Sequence, residues 1–170
     1  MQMLFQADIG KQTPDQVRAT FWKAGDEVEP EVRGFAEDLF RVAIAHQEQI
    51  DELLVTNSRH WRIVRMPAVD RNLLRMAVGE MLGFKGTPSP IIINEALEIG
   101  RRYSAPESIN FLNGMLDAIA RGLIEKSGNR DQGSGNRDQG SGIRGQGSGV
   151  REQGSGVRDQ GSGNRDQGTD

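Results

Sequence analysis

Few side chains in this sequence are suited to catalysis or metal binding. Histidine occurs only at His46 and His60, on different predicted segments, and cysteine is absent. The acidic pairs Glu37-Asp38 and Asp51-Glu52 are adjacent in the sequence. Neighbouring side chains on a helix point in different directions, so these pairs are predicted to lie on a solvated face. No HExxH motif, EF-hand loop or P-loop occurs. The sequence therefore predicts no catalytic site, no metal site and no cofactor.

Arginines near aromatic residues form a second group, which suits contact with RNA. Guanidinium groups pair with phosphates, and planar rings stack on unpaired bases. Arg101-Arg102 precede Tyr103, and five arginines surround Trp61: Arg59, Arg62, Arg65, Arg71 and Arg75. The alternative interpretation is structural. Arg101-Arg102 would then complement the C-terminus of a helix, and Trp61 would be a core residue.

The first 126 residues contain the signals of five helices that could position these side chains. Proline is favoured in the first turn of a helix, and apolar residues follow each proline at intervals of three and four. The starts are Thr13-Pro14, Glu29-Pro30, Pro67, Ser89-Pro90 and Ala105-Pro106. The first helix is predicted to end near Ala24, and the second to run unbroken to about Leu54. Strand signals are limited to residues 91–93, so we predict an all-α bundle with short connections.

The remaining residues, 127–170, form a tandem repeat. They hold 13 of the 22 glycines in a chain of 170 residues, and only three hydrophobic residues. From Gly128 a seven-residue unit, GNRDQGS and its variants, occurs six times. A coiled coil needs two apolar positions in each heptad, and each copy has at most one. We predict one folded domain over 1–126 and a disordered tail over 127–170, with a weak RNA or partner contact as the alternative for the tail.

Charge and hydropathy narrow the class of protein. The formal net charge is -3 and the pI is about 5.5, which argues against binding nucleic acid by overall positive potential alone. No apolar run approaches the roughly 20 residues of a membrane-spanning helix. The first residues also lack the basic and apolar regions of a signal peptide. A soluble cytoplasmic protein is expected.

Three ordered blocks give the sequence a specific resemblance. The blocks are residues 69–81 (VDRNLLRMAVGEM), 92–99 (IINEALEI) and 111–117 (FLNGMLD). Tyr103 and Glu107-Ser108 lie between the last two blocks. In this order and spacing they resemble the NusB family of transcription antitermination factors. Leu4-Phe5-Gln6 is similar to the end of the first helix in that family, so the resemblance covers roughly residues 1–125.

The resemblance implies a fold of two packed small helical bundles and a function without catalysis or cofactor. NusB-like proteins pair with NusE, a ribosomal small-subunit protein. The pair binds the boxA element of nascent ribosomal-RNA transcripts and helps RNA polymerase, in a complex with other Nus factors, to read through terminators. A related domain precedes some RNA cytosine methyltransferases. A detached RNA-substrate-binding domain of that kind is therefore the alternative, and a helical scaffold without an RNA role is a third.

The resemblance also implies site residues. RNA contact is expected at Leu4, Phe5, Gln6, Glu107, Ser108 and Phe111. NusE contact is expected at Asp70 and Leu73. A cap role for Ser108 and a core role for Phe111 remain as alternatives. Family members usually carry an arginine-rich stretch before the residues that match Leu4-Phe5-Gln6, and this sequence starts after it. We expect upstream in-frame codons to encode several arginines; the alternative is a protein that binds RNA weakly alone.

Two further expectations concern packing. Gly114 interrupts the apolar stripe of the last predicted helix, where glycine costs roughly 1 kcal/mol relative to alanine. A second helix that approaches closely would explain it. Glu80 and Asn94 are expected to form hydrogen bonds between helices or to contact a partner.

Overall fold

The structure, a computed structural model, describes residues 1–23, 27–58 and 63–132. In these ranges the chain forms seven α-helices and one 3-10 helix, and no strand. The helices are α1 Gln2–Gly10, α2 Pro14–Thr20, α3 Pro30–Ala45, α4 Gln47–Asn57, α5 Ala68–Gly83, α6 Ser89–Tyr103 and α7 Ser108–Gln132, with the 3-10 helix at Ile63–Arg65. The all-α prediction is confirmed.

Helix starts lie where proline and capping residues predicted them. Thr13 caps α2 in a full capping box: its hydroxyl accepts from the Gln16 backbone N–H, and the Gln16 side chain accepts from the Thr13 backbone N–H. Pro14 and Pro30 occupy the first turns of α2 and α3. The helix α2 ends at Thr20, short of the predicted end near Ala24, which itself lies outside the described residues.

The prediction of one long second helix is wrong. The chain kinks at His46 and forms two helices, α3 and α4, in its place. This residue has φ -105° and ψ 15° and separates α3 from α4. No proline or glycine marks the position, so nothing in the periodicity reveals the kink. It lets α3 pack against α1 and α5 while α4 packs against α5 and α7.

The helix α5 is the centre of the fold. It contacts α1, α3, α4, α6 and α7. The helices α1, α2 and α3 contact one another on one side, and α4, α6 and α7 complete a second group, so α5 belongs to both small bundles. Its buried residues include Leu73, Leu74 and Val78 but also three polar side chains: Asp70, Asn72 and Arg75. Buried polar groups require partners, and these residues therefore bear on function.

Close helix packing occurs at glycines other than the predicted one. A Cβ atom added to Gly79 would lie 3.0 Å from the Cβ of Ala43, and one added to Gly83 would lie 2.5 Å from the Cγ1 of Val42. These glycines let α5 approach α3. At Gly114 an added Cβ would meet nothing within 4 Å, so the prediction of a close approach at Gly114 is wrong.

The last helix begins slightly later than predicted. A turn in which the Ser108 N–H donates to the carbonyl of Ala105 precedes it, and α7 itself starts at Ser108 rather than at Pro106. The helix ends at Gln132, inside the first repeat copy, so residues 127–132 are helical although they were predicted to lie in the disordered tail. Residues 133–170 lie outside the described part. None of the described helices is long and apolar enough to cross a membrane.

Candidate functional site

The N-terminal ends of α5 and α7 meet at a cavity of about 250 Å³. It is lined by Met66, Pro67, Asp70, Glu107, Ser108 and Phe111. Asp70 comes from the NusE-contact set of the sequence prediction, and the last three come from the RNA-contact set. Two sets of residues that lie nearly 40 positions apart in the chain are therefore brought to one place.

Asp70 forms the inner wall of this cavity. The residue is only 2% exposed, and its Oδ1 atom has no hydrogen-bond partner among the described residues. Leaving a buried carboxylate oxygen unpaired costs roughly 1–3 kcal/mol or more. Its position in the first turn of α5 offsets part of this cost, because the positive end of the helix dipole favours an anion. Asp70 can accept a hydrogen bond from a donor that enters the cavity.

The opposite wall is more open and more varied chemically. Glu107 is exposed, whereas Ser108 and Phe111 are half-buried. Phe111 packs against the core and also lines the cavity, so its core role is confirmed and its RNA contact stays a prediction. A carboxylate, a hydroxyl and an aromatic ring together can accept and donate hydrogen bonds and can stack on a planar group.

Arg71 and Arg75, which the sequence offered as RNA contacts, serve a structural network instead. The Nε and Nη2 atoms of Arg71 donate to Asp8 Oδ2 at 2.9 and 2.6 Å. Arg75 donates from the same two positions to Asp51, at 2.8 and 2.7 Å. Both guanidinium groups are close to 90% buried, with 12% and 11% of the side chain exposed. Their charges are neutralised inside the fold, and the RNA interpretation is wrong for these two residues.

The acidic partners of this network were missed or misplaced. Nothing in the sequence pointed to Asp8, because its partner Arg71 lies 63 residues away. Asp51 was predicted on a solvated face, yet it is half-buried and paired with Arg75. Burial raises the pKa of the Asp8 carboxyl, but hydrogen bonds from Arg71 and Asn72 and the charges of both arginines outweigh burial and hold that pKa below its ordinary value.

The other aromatic and basic candidates are spread more widely. Arg101 pairs with Glu98 on the surface of α6, while Arg102 and Tyr103 are exposed at the end of that helix. Arg65 is exposed beside the cavity segment. The residues Arg59, Trp61 and Arg62 lie outside the described residues.

Glu80 and Asn94 make no hydrogen bond to each other in the described part of the chain. Glu80 faces Glu95 on α6 instead, and burial, followed by repulsion from the Glu95 charge, raises the pKa of the Glu80 carboxyl. Within the described residues, no group of three or more His, Asp or Glu side chains could hold a metal ion.

Comparison with known proteins decides the family. The sequence profile of the NusB family matches residues 1–121, a span that includes the central helix and the whole cavity. The chain belongs to the NusB family. It is 55% identical over 123 residues to the transcription antitermination protein NusB of Koribacter versatilis, which covers 72% of this chain and 84% of that protein.

Solved structures agree with the NusB fold. NusB from T. maritima superimposes with a TM-score of 0.65 at 30% identity, over 71% of this chain and 84% of that one. A chain in the crystal structure of antitermination factors NusB and NusE in complex with dsRNA gives a TM-score of 0.64 at 22% identity, over 71% of this chain and 89% of that one. At 22% identity the likeness concerns the fold alone.

Several residues that the NusB resemblance implied do not line the cavity. Leu73 is fully buried, and Leu4 is 5% exposed in the core, so neither offers a surface to a partner in this structure. Phe5 is half-buried on α1. Gln6 donates from Nε2 to Gln12 and Thr20 at 2.7 and 3.1 Å, which ties α1 to α2. The apolar stripe of α5 could have identified Leu73 as core, whereas α1 has no marked apolar face and gives no such signal for Leu4.

Proposed function

We propose that this chain is a transcription antitermination factor. With NusE it binds the boxA element of nascent ribosomal-RNA transcripts, joins the antitermination complex of RNA polymerase and other Nus factors, and promotes read-through of terminators. The observation that supports this proposal most is the cavity where Asp70 meets Glu107, Ser108 and Phe111 in a chain of the NusB family.

The two walls of the cavity suit two different ligands. The inner wall carries the Asp70 carboxylate, which favours a donor-rich or basic protein surface and disfavours phosphate. We therefore assign it to NusE. The ring of Phe111 and the hydroxyl of Ser108 suit an unpaired base, through stacking and a hydrogen bond to the base edge. Phe5 and Gln6 on α1 stay proposed RNA contacts, outside the cavity.

The proposed role needs binding alone and no catalysis. It places the protein in the cytoplasm, where nascent ribosomal RNA and RNA polymerase meet. The domain at 1–126 carries the function in this proposal, and the predicted disordered tail at 127–170 has no part in it.

Phe111→Ala tests the proposal at the cavity. If a base stacks on the ring, its loss costs roughly 1–3 kcal/mol, so we expect affinity of the chain with NusE for a boxA oligonucleotide to fall about 5- to 150-fold. Binding is measured by fluorescence anisotropy with labelled RNA at fixed salt.

The matched control is Phe35→Ala. Phe35 is a 47% exposed phenylalanine on α3, in edge contact with Phe84 and outside the cavity. We expect this variant to bind RNA as the unaltered chain does. Equal losses in the two variants, or none in Phe111→Ala, would contradict the assignment of the RNA-facing wall.

A further inference from the structure

Arg71 holds two parts of the molecule with one side chain. Two of its nitrogens donate to Asp8 on α1. The third, Nη1, donates to the backbone carbonyls of Ile63 and Met66 at 3.3 and 3.1 Å. The first carbonyl belongs to the 3-10 helix Ile63–Arg65, and the second belongs to the residue that follows this helix on the way into α5. The guanidinium group therefore links α1 to the segment 63–67.

That segment forms one wall of the candidate site. Met66 and Pro67 line the cavity opposite Glu107, Ser108 and Phe111. The Met66 N–H donates to Ile63 and the Arg71 N–H donates to Pro67, so these backbone hydrogen bonds of the segment are local. The Arg71 side chain thus links this segment to α1 by hydrogen bonds, while Ile63 and Met66 also pack in the core.

Asp8 fixes the orientation of that side chain. Its Oδ2 atom accepts two hydrogen bonds from Arg71 and one from Asn72 at 2.9 Å, and lies 3.5 Å from Arg75 Nη1. A planar guanidinium with five donors can satisfy a carboxylate on one edge and carbonyls on the other, whereas an ammonium group cannot keep this geometry. Asp8 does not itself line the cavity.

We propose that Asp8, acting through Arg71, is a positioning residue for the partner site: the pair holds the Met66–Pro67 wall in the geometry that binds NusE and RNA. This inference rests on the proposed function of the cavity. It differs from that function in assigning a role to residues that touch neither ligand. Rearrangements transmitted in this way change binding by about 0.5–2 kcal/mol, which corresponds to roughly 2- to 30-fold in affinity.

The test compares Asp8→Asn with Asp51→Asn in the full chain. Both variants remove one carboxylate partner of an α5 arginine and change the net charge by the same amount, so nonspecific attraction to RNA is matched. Only Asp8 is paired to the arginine that holds the 63–67 segment. At a temperature where all proteins are folded, we expect Asp8→Asn to bind the NusE–boxA pair about 2- to 30-fold more weakly and Asp51→Asn to bind it nearly as the unaltered chain does.

A second readout does not depend on ligand binding. The Met66 amide donates to Ile63, so its hydrogen exchange reports on the segment that Arg71 holds. We expect faster exchange of this amide in Asp8→Asn but not in Asp51→Asn. If the unaltered chain bound neither ligand, the proposed function would fail, and the exchange rates would still test the positioning role.

Arg71→Lys covers the case in which Asp8→Asn does not fold. It keeps the positive charge but loses the fork that joins Asp8 to both carbonyls, so we expect the same loss of affinity and of Met66 protection. Equal affinity losses in Asp8→Asn and Asp51→Asn, or unchanged Met66 exchange in Asp8→Asn and Arg71→Lys, would overturn the inference.

Discussion

At the scale of single residues, buried charge separates structural side chains from interface side chains. The guanidinium groups of Arg71 and Arg75 have carboxylate partners within 3 Å, whereas Asp70 Oδ1 has no hydrogen-bond partner in the described part of the chain. A satisfied buried charge stabilises one conformation. A buried charge that has no partner and lies at a cavity wall is available to a ligand. For this reason Asp70 belongs to the proposed interface and Arg71 does not.

Sequence reasoning found part of this set of residues. Asp70, Glu107, Ser108 and Phe111 came from the resemblance, and the structure brings them to one cavity. Asp8 had no local signal, since its partners are distant in the chain. Leu4 and Leu73 were chosen by resemblance alone, although an apolar residue on the buried face of a helix belongs to the core.

Glu80 gives a prediction about pH. Its pKa is raised from 4.5 by burial and then by Glu95, so the folded state holds a proton that the unfolded state has already lost. Stability therefore falls as pH rises from about 4.5 through the raised pKa, and the penalty is complete above it. Replacing Glu95 by Gln removes the repulsion. We expect Glu95→Gln to raise the free energy of unfolding at pH 7 by less than about 1 kcal/mol, the usual size of a charge interaction near the surface.

Urea denaturation at pH 4 and pH 7 measures this effect, with Glu52→Gln on α4 as the control for charge. The gain from Glu95→Gln should vanish at pH 4, where the raised pKa keeps the Glu80 carboxyl protonated and no repulsion between the two side chains remains. A gain of the same size at both pH values would show that repulsion between Glu80 and Glu95 is not its cause.

At the scale of helices, the sequence predicted where helices begin better than it predicted where the chain kinks. Prolines and the Thr13 cap marked where α2, α3 and α6 begin, because proline and capping side chains act within one turn. The kink at His46 and the close approach of α5 to α3 depend on which helices pack together. Such contacts join distant parts of the chain and leave no periodic signal.

Two glycine substitutions test the packing of these helices. Gly79→Ala adds a methyl group 3.0 Å from the Ala43 Cβ and 3.2 Å from its Cα. Overpacking costs about 1–3 kcal/mol, and this exceeds the gain in helix propensity of roughly 1 kcal/mol. In α7, the methyl group added by Gly114→Ala would have no neighbouring atom within 4 Å. This substitution is therefore expected to change stability only through the higher helix propensity of alanine.

We therefore expect the two glycine-to-alanine substitutions to change the free energy of unfolding in opposite directions. The free energy of unfolding from urea titration should fall by about 1 kcal/mol in Gly79→Ala and rise by up to about 1 kcal/mol in Gly114→Ala. Stabilisation by Gly79→Ala would show that α3 and α5 are packed less closely than in this structure.

At the scale of the whole molecule, we assign the proposed function to the part of the chain that matches the NusB family. The NusB family match ends at residue 121, and the cavity lies within it. The repeat-bearing segment 127–170 carries equal numbers of arginines and acidic residues, so it adds no net attraction for RNA. The all-α architecture and the family could both be predicted from the sequence. Helical periodicity and the ordered sequence blocks can be recognised without knowing which distant residues are in contact.

Truncation after Gln132 tests this division. We expect the shortened chain to keep its affinity for the NusE–boxA pair within about twofold and its unfolding free energy within about 0.5 kcal/mol, the range of surface changes that remove no packed contact. Anisotropy titration and urea denaturation of both chains provide the comparison. A tenfold loss of affinity on truncation would assign the repeats a binding role, the alternative that their arginines leave open.

The most direct measurement for the central claim is the affinity of the full chain for a boxA oligonucleotide, measured with and without NusE and against a scrambled RNA of the same length and salt. We expect the chain and NusE to form a complex that binds boxA more tightly than either protein alone does, and more tightly than it binds scrambled RNA. Failure of the chain to bind NusE, together with equal binding of boxA and scrambled RNA, would contradict the central claim.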